Sequence, residues 1–299
     1  MDLASLAIFR TVAREGSITR TAHLLGRVPS NVTTRIQQLE AEIGVPLFQR
    51  DRKAMTLTAE GVAYLDYAER ILNLAEEAEQ VVNPKEPVGT LRIGSMESTV
   101  AARLPLPLAE FNANWPEVTI ELVTAPTRQL VDALLAHRID CALIALPPDD
   151  TGFGPDEVAT PPLFREELVL LLPPGHPEIG HAKEIKPRAL AAFAPGCTYR
   201  RLAEEWVTDG GTAPARLQFQ EVRSYHAMVA LTAAGTCFSL LPRSVLDLVP
   251  DADRFTIKPL MTVDTCLAER PSFKTPAVLQ LRETLRAFSD IAESPDGPH

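Results

Sequence analysis

No apolar run in this chain approaches the roughly 20 residues needed to span a bilayer. Its start, Met1-Asp2-Leu3-Ala4, lacks the basic residues and apolar stretch of a secretory leader. These absences predict a cytoplasmic protein without a membrane partner. Only four cysteines occur, Cys141, Cys197, Cys237 and Cys266, far apart and with no CxxC pair. A disulfide framework is not expected, and free thiols in a reducing compartment are. The patterns GxSxG, GxGxxG, HExxH and the phosphate-binding loop are missing, and the six histidines are scattered. No catalysis, no cofactor and no metal are therefore expected, and His176 and His181, on either side of Pro177, read as solvated loop residues.

What is present is a 45% apolar composition, ample for a packed core, over 299 residues, about the length of two domains. The net charge of −10 is uneven: residues 1–58 carry +3 and the remainder −13. A basic head on an acidic body suggests that one end meets phosphate while the rest avoids it.

The head reads as three short helices and a hairpin. Leu3, Leu6, Phe9, Val12 and Ala13 recur at helical spacing. Gly16 suits the stop of that helix, and Ser17 the cap of the next. A second helix, Ile18 to Leu25, is expected to bury Ala22, Leu24 and Leu25. A third begins near Pro29, where a missing N–H costs nothing. Val32, Ile36, Leu39 and Ile43 give it an inward face. Ser30, Asn31, Thr33, Thr34, Arg35, Gln37 and Gln38 point outward. Small hydrogen-bonding side chains near a helix start are what major-groove reading requires. An ordinary three-helix core would present the same face to water.

The continuation separates these readings. Gly16-Ser17, Thr21-Ala22, Leu24-Leu25, Leu39-Glu40, Gly44, Leu47-Phe48, Arg50, Leu57-Thr58 and Gly61, at these spacings, resemble the DNA-binding domain of LysR-type regulators. The resemblance implies a winged helix-turn-helix over residues 1–59, with double-stranded promoter DNA as partner. It makes residues 50–58 the wing, placing Arg50, Arg52 and Lys53 near phosphates, and makes the helix from Pro29 the reader. The family's usual Ser-Gln opening is Val28-Pro29 here, and its later Ser-Arg pair is Thr33-Thr34. Base reading is therefore expected to lean on Ser30, Asn31, Thr34 and Arg35.

Residues 60–83 read as one long helix, free of proline and rich in helix formers. Leu65, Ala68, Leu72, Ala75 and Val82 form one apolar stripe. Tyr64, Tyr67, Ile71, Leu74, Ala78 and Val81 form another. Two stripes suit a helix that packs on its own domain and on a partner helix; a core helix of a single domain would also be apolar this widely. The resemblance makes it the linker through which the family dimerises, with residues 84–89 as hinge.

Beyond the hinge, strands and helices alternate, which indicates a mostly parallel sheet. Strands are expected at Leu91–Gly94, Val118–Val123, Cys141–Leu146, Glu167–Leu172, Leu217–Gln220, Phe238–Leu241, Phe255–Lys258 and Thr262–Ala268. Helices are expected at Val100–Asn114, Thr127–His137, Leu202–Asp209, Tyr225–Ala234 and Ala277–Ile291, with a disordered tail over 294–299. The resemblance extends here to the LysR effector domain, similar in fold to periplasmic binding proteins. It implies two α/β lobes, about 90–161 with 267–293 and about 162–266, joined by crossovers near Pro161–Arg165 and Thr262–Ala268.

Loops that open helices on the cleft side supply the ligand candidates. They are Ser98 and Thr99, Thr127, the run holding Cys197, Tyr199 and Arg200, and Ser224 with Tyr225. Hydroxyls and free N–H groups at a positive helix end favour an anion, and Arg200 could supply a fixed charge. Ser98, Thr99 and Thr127 could equally be simple caps, Arg200 and Arg201 could pair with Glu204 and Glu205, and Glu97 on the same side favours an amine. The expected protein is thus a sequence-specific regulator whose oligomer shape and promoter bending respond to a small-molecule effector of unknown identity. The family implies a homotetramer built from dimers, and RNA polymerase is a further candidate partner. Two rivals are a thiol-based redox regulator using Cys197, its pKa lowered at a helix start, and a stand-alone small-molecule binding protein.

Overall fold

The computed structural model describes residues 2–51, 54–82, 86–147, 158, 162–209, 217–270 and 275–291. The chain divides into two compact units, Met1–Pro84 with Ala136–Arg138, and Lys85–Leu135 with Ile139–His299.

In the first unit, α1 (Leu3–Glu15) starts where Asp2 accepts the Ser5 N–H at 2.7 Å and stops at Gly16, whose φ is +60°. Ser17 caps α2 (Ile18–Leu24), and Pro29 is the first residue of α3 (Pro29–Ile43). Leu6, Ile8, Phe9, Val12, Ala22, Val32, Ile36 and Leu39 form the core. The Phe9 ring centroid lies 5.3 Å from those of both Phe48 and Tyr64. Three expectations fail at the edges of this core. Leu3, the first residue of α1, is 48% exposed; Leu24 is 61% exposed and Leu25 is exposed too, because the end of the seven-residue α2 projects beyond the core. Ile8, absent from the expected stripe, is buried instead.

The wing consists of β1 (Phe48–Asp51) and β2 (Ala54–Leu57), paired antiparallel. Glu40 on α3 receives the N–H groups of Leu47 and Phe48 at 2.8 and 3.1 Å, fixing where the wing begins. Thr58 then donates to the Pro46 carbonyl and accepts the Gly61 N–H at 2.9 Å, starting α4 (Ala59–Val82). A β-carbon at position 61 would lie 2.0 Å from the Leu47 carbonyl oxygen, so only glycine fits. The pattern of Glu40, Leu47-Phe48, Thr58 and Gly61 is therefore one interlocked joint. Along α4, Ala68 is buried against the head, with Tyr64, Leu65 and Leu72 packed beside it. Tyr67, Ile71, Leu74 and Val81 stay exposed.

The second unit is α/β. Its elements are β3 (Gly89–Ser95), α5 (Glu97–Ala102), α6 (Pro105–Asn114), β4 (Val118–Thr124), α7 (Thr127–Leu135) and β5 (Cys141–Leu146). They continue with β6 (Pro162–Leu172), β7 (Ala189–Ala192), α8 (Thr198–Asp209), β8 (Gln218–Glu221), α9 (Tyr225–Ala233), β9 (Phe238–Pro242), α10 (Arg243–Leu246), β10 (Thr256–Ala268) and α11 (Pro276–Ala287). One eight-stranded sheet runs β4-β3-β5-β10-β6-β9-β7-β8. Strand β3 is parallel to β4 and β5, and β7 is parallel to β8 and β9, giving a parallel patch in each of two lobes. The lobes are joined by β6 and β10, antiparallel to one another from Thr256 opposite Leu172 to Cys266 opposite Pro162. One core of Leu91, Ile93, Leu104, Phe111, Leu143 and Leu281 fills the first lobe. Another, of Val169, Leu171, Val222, Met228 and Leu241, fills the second.

Several boundaries differ from expectation. Residues 100–114 form two helices, because Pro105 cannot donate to a continuing helix and starts a new one at its first position. The two strands expected at 255–268 are one, β10, which passes Pro259 with a shift of register between Pro259 and Met261. Strand β7 and the short α10 were not expected. The final helix ends at Ala287, not Ile291, and α7 stops at Leu135. Pro161 and the tail 294–299 lie outside the described residues.

Candidate DNA-reading face and ligand cleft

On α3 the buried Val32, Ile36 and Leu39 turn Ser30, Asn31 and Thr34 to solvent, along with Gln37 and Gln38. The side chain of Val28 offers no cap. Thr33 is half-buried, and its hydroxyl donates to the Pro29 carbonyl at 3.0 Å. Arg35 does not stand free: its guanidinium pairs with Asp2 at 3.1 Å, back towards the start of α1. Both groups are partly solvated, so the pair is weak and readily exchanged for another anion. Arg27, in the turn before α3, donates to the Asn31 side chain at 3.4 Å, a contact that sequence reading did not supply. The Arg50 side chain, Arg52 and Lys53 lie outside the described residues.

In the second unit, the C-terminal ends of parallel strands β3, β4, β7 and β8 face a common cavity of about 340 Å³. Each strand end passes through a loop into a helix, and α5, α7, α8 and α9 all begin there, as expected of an open α/β sheet. Of the sequence candidates, Ser98, Thr127, Cys197, Tyr199 and Tyr225 line the cavity. Three do not. Thr99, one residue past Ser98, is carried by the helical turn into the core. Ser224 is consumed in capping α9, accepting the Ala227 N–H. Arg200 lies over the Phe219 ring at 4.4 Å, pairs with Glu204 at 2.8 Å and donates to the Phe193 carbonyl at 3.1 Å. It fixes the cavity-lining loop from behind. Met96, Glu97, Thr124, Phe193, Glu221 and Arg223 complete much of the wall. Position at a strand end was the only signal for most of these.

The wall is largely apolar, with Phe193 and Tyr225 edge to face at 5.0 Å. Set in it are two polar atoms shut off from solvent without a hydrogen-bond partner, Glu97 Oε2 and Thr127 Oγ1, and the buried Tyr199 hydroxyl, whose neighbours are the Ser98 and Thr265 hydroxyls. Burial pushes the Glu97 carboxyl above its ordinary range, opposed by the Tyr225 N–H and by His226. Burial likewise pushes the Tyr199 and Tyr225 phenols up. Two contacts cross the cleft: the Thr198 hydroxyl donates to the Ala145 carbonyl at 3.3 Å, and the Arg128 N–H to the Gly196 carbonyl at 3.4 Å.

Cys197 lines the cavity, but burial raises its thiol pKa, outweighing the lowering expected at a helix start. All four cysteines are free, and the other three are buried. A thiolate sensor needs the opposite environment, so the redox reading is not favoured.

A helix-turn-helix with a wing, together with a two-lobed ligand fold, defines a ligand-responsive DNA-binding regulator. The family described as the LysR substrate binding domain matches residues 84–290, and that described as the bacterial regulatory helix-turn-helix protein, lysR family, matches residues 3–62. The chain belongs to the LysR family of transcriptional regulators. It is 38% identical over 247 residues to the HTH-type transcriptional regulator GltR of Bacillus subtilis (strain 168), across 82% of this chain and 81% of that protein. Among solved structures it is similar to a full-length OxyR from Pseudomonas aeruginosa, with a TM-score of 0.69 and 22% identity, across 100% of this chain and 99% of that one. Full-length CbnR complexed with its target DNA gives a TM-score of 0.64 and 23% identity, across 97% and 100% of the two chains. Among the described residues no helix is long and apolar enough to cross a membrane.

Proposed function

We propose that this regulator works in the cytoplasm as a homotetramer built from dimers, on paired promoter half-sites about 34–36 Å apart, and that a small molecule in the cleft controls its shape. The cleft carries this reading: a preformed cavity at parallel strand ends whose buried polar atoms lack partners is built to be completed by a ligand. Dimerisation through α4 rests on Tyr67, Ile71, Leu74 and Val81, large apolar groups left exposed on one helix face. Ser30, Asn31 and Thr34 read bases from α3, and the uncapped start of that helix and Arg27 face phosphate. Arg35 leaves Asp2 for DNA on binding. A ligand that prefers one lobe arrangement shifts the population of oligomer shapes, and with it the promoter bend and access of RNA polymerase. The protein performs no catalysis in this scheme.

Mobility-shift titration on DNA immediately upstream of its own gene tests the assignment. Arg35→Ala should lose about 1–3 kcal/mol of specific affinity, with little change in melting temperature because the Asp2 pair is solvated. Unchanged DNA affinity would remove Arg35 from the reading set.

A further inference from the structure

The cleft holds one half-buried carboxyl group and, elsewhere on its wall, groups that attract an anion. The Tyr225 N–H reaches the Glu97 carboxyl, but its Oε2 is sealed from solvent and has no donor. His226 and Arg223 lie on the same side of the cleft. A carboxylate oxygen in that position costs stability until a donor reaches it. Thr127 Oγ1, without a partner, and the Tyr199 hydroxyl, beside Ser98 and Thr265, have the reverse preference. Thr127 and Tyr199 are 5% and 3% exposed, and each stands in the first turn of a helix, α7 or α8, of nine and twelve residues. Their hydroxyls can donate, and the helix starts beside them carry partial positive charge. The same wall carries an apolar surface of Met96, Phe193, Val222 and Tyr225. At about 340 Å³ the space is at the lower end for a small-ligand pocket.

We propose that the cleft takes an amino carboxylate, a small molecule whose ammonium completes Glu97 and whose carboxylate completes Thr127 and Tyr199. The assignment rests on the cleft being the effector site, and adds to it the ligand's chemical class. A carboxylate lacking the amine leaves Glu97 unsatisfied and facing a like charge. An amine lacking the carboxylate leaves Thr127 unsatisfied.

Thermal shift followed by calorimetric titration of the full-length protein tests this. The probes are the twenty standard L-amino acids, with 3-phenylpropionate, 4-methylpentanoate and glutarate as carboxylates lacking the amine, and phenethylamine and isopentylamine as amines lacking the carboxylate. At least one amino acid should raise the melting temperature, and the probes lacking either the amine or the carboxylate should bind tenfold or more weaker. Glu97→Gln should weaken the amino acid by about tenfold to a hundredfold, the value of a hydrogen bond to a charged group. Equal binding by the carboxylates, or affinity retained in Glu97→Gln, would show Glu97 acting as a neutral donor and overturn the amino-carboxylate class with the cleft left standing. No response to any amino acid would also overturn it. Ala194→Trp, which fills the cavity from its rim, keeps the two readings separable: amino-acid binding that survives this variant places the ligand elsewhere and removes the cleft reading itself.

Discussion

The two candidate sites are built on opposite plans. The DNA-reading face comes from neighbouring positions on one helix, and its polar groups are either solvated or satisfied close by: Thr33 by Pro29, Arg35 by Asp2, Asn31 by Arg27. The cleft gathers residues from position 96 to position 225, and two of its polar atoms, Glu97 Oε2 and Thr127 Oγ1, are buried there without partners. A surface that meets a polymer can rest in water when the polymer is absent. A surface that encloses a small molecule cannot, and it carries a desolvation cost while unfilled.

The comparison can be broken most forcefully at the joint under the head. Gly61→Ala puts a methyl group 2.0 Å from the Leu47 carbonyl oxygen. It should cost about 3 kcal/mol in urea titration of the full chain, abolish DNA binding, and leave the ligand-induced thermal shift of the second unit in place. Loss of both responses together would show that the units do not fold independently. Glu40→Ala should act in the same direction at about 2 kcal/mol, by stranding the Leu47 and Phe48 N–H groups. Hydrogen exchange at those two amides would show the wing loosening first.

The smallest effect is the most discriminating, because the two regions should respond to pH with opposite sign. Asp2, capping α1, has its pKa lowered from an ordinary 3.8, mainly by the Ser5 N–H and further by Arg35. The stability it contributes is present above that ordinary value and disappears as acid protonates it in the folded state. Asp2→Asn should therefore lower the melting temperature at neutral pH, and the difference should vanish in acid once Asp2 is protonated in the folded state. Glu97 is raised by burial from an ordinary 4.5. The folded state holds its proton more tightly, so stability falls as pH rises above that value and levels off once both states are ionised. With His226, Arg223 and Glu221 as the charged neighbours on that wall, Glu97→Gln should raise the melting temperature of the ligand-free protein at neutral pH and match wild type in acid. Equal signs in the two variants would erase the distinction between the sites.

Sequence legibility followed the same division. The head was readable because its constraints are local in the chain: the cap at Ser17, Pro29 at a helix start, and the spacing of Glu40, Thr58 and Gly61 each join residues close in sequence. It misled only where periodicity was asked to say how far a neighbour reaches, at Leu3, Leu24 and Leu25. In the second unit, alternating elements were readable and their edges were not. Strand β7, Ala-Leu-Ala-Ala, has no β-branched residue and is a strand because β8 and β9 flank it. At the cleft, the rule that ligands sit at strand ends selected loops that line the cavity. It could not choose among adjacent residues on a helical turn, where each step rotates the side chain by about 100°. Ser98 and Tyr199 face the cavity, while Thr99 and Arg200 do not. Phe193 and Arg223 carried no local signature at all.

The hydrogen-bonded pair β6 and β10 has a further consequence. A connection made of loops would let the lobes swing apart as if on a string. Two strands in a shared ladder, continuous with the sheets they join, yield chiefly by twisting. The second unit is therefore a torsion element. The chemistry that selects a ligand lies in the loops at the strand ends, and the stiffness that the ligand works against lies in the paired strands. Evolution or design can exchange the first without recalibrating the second, and one scaffold can thus be retuned to new signals while its mechanical response is kept.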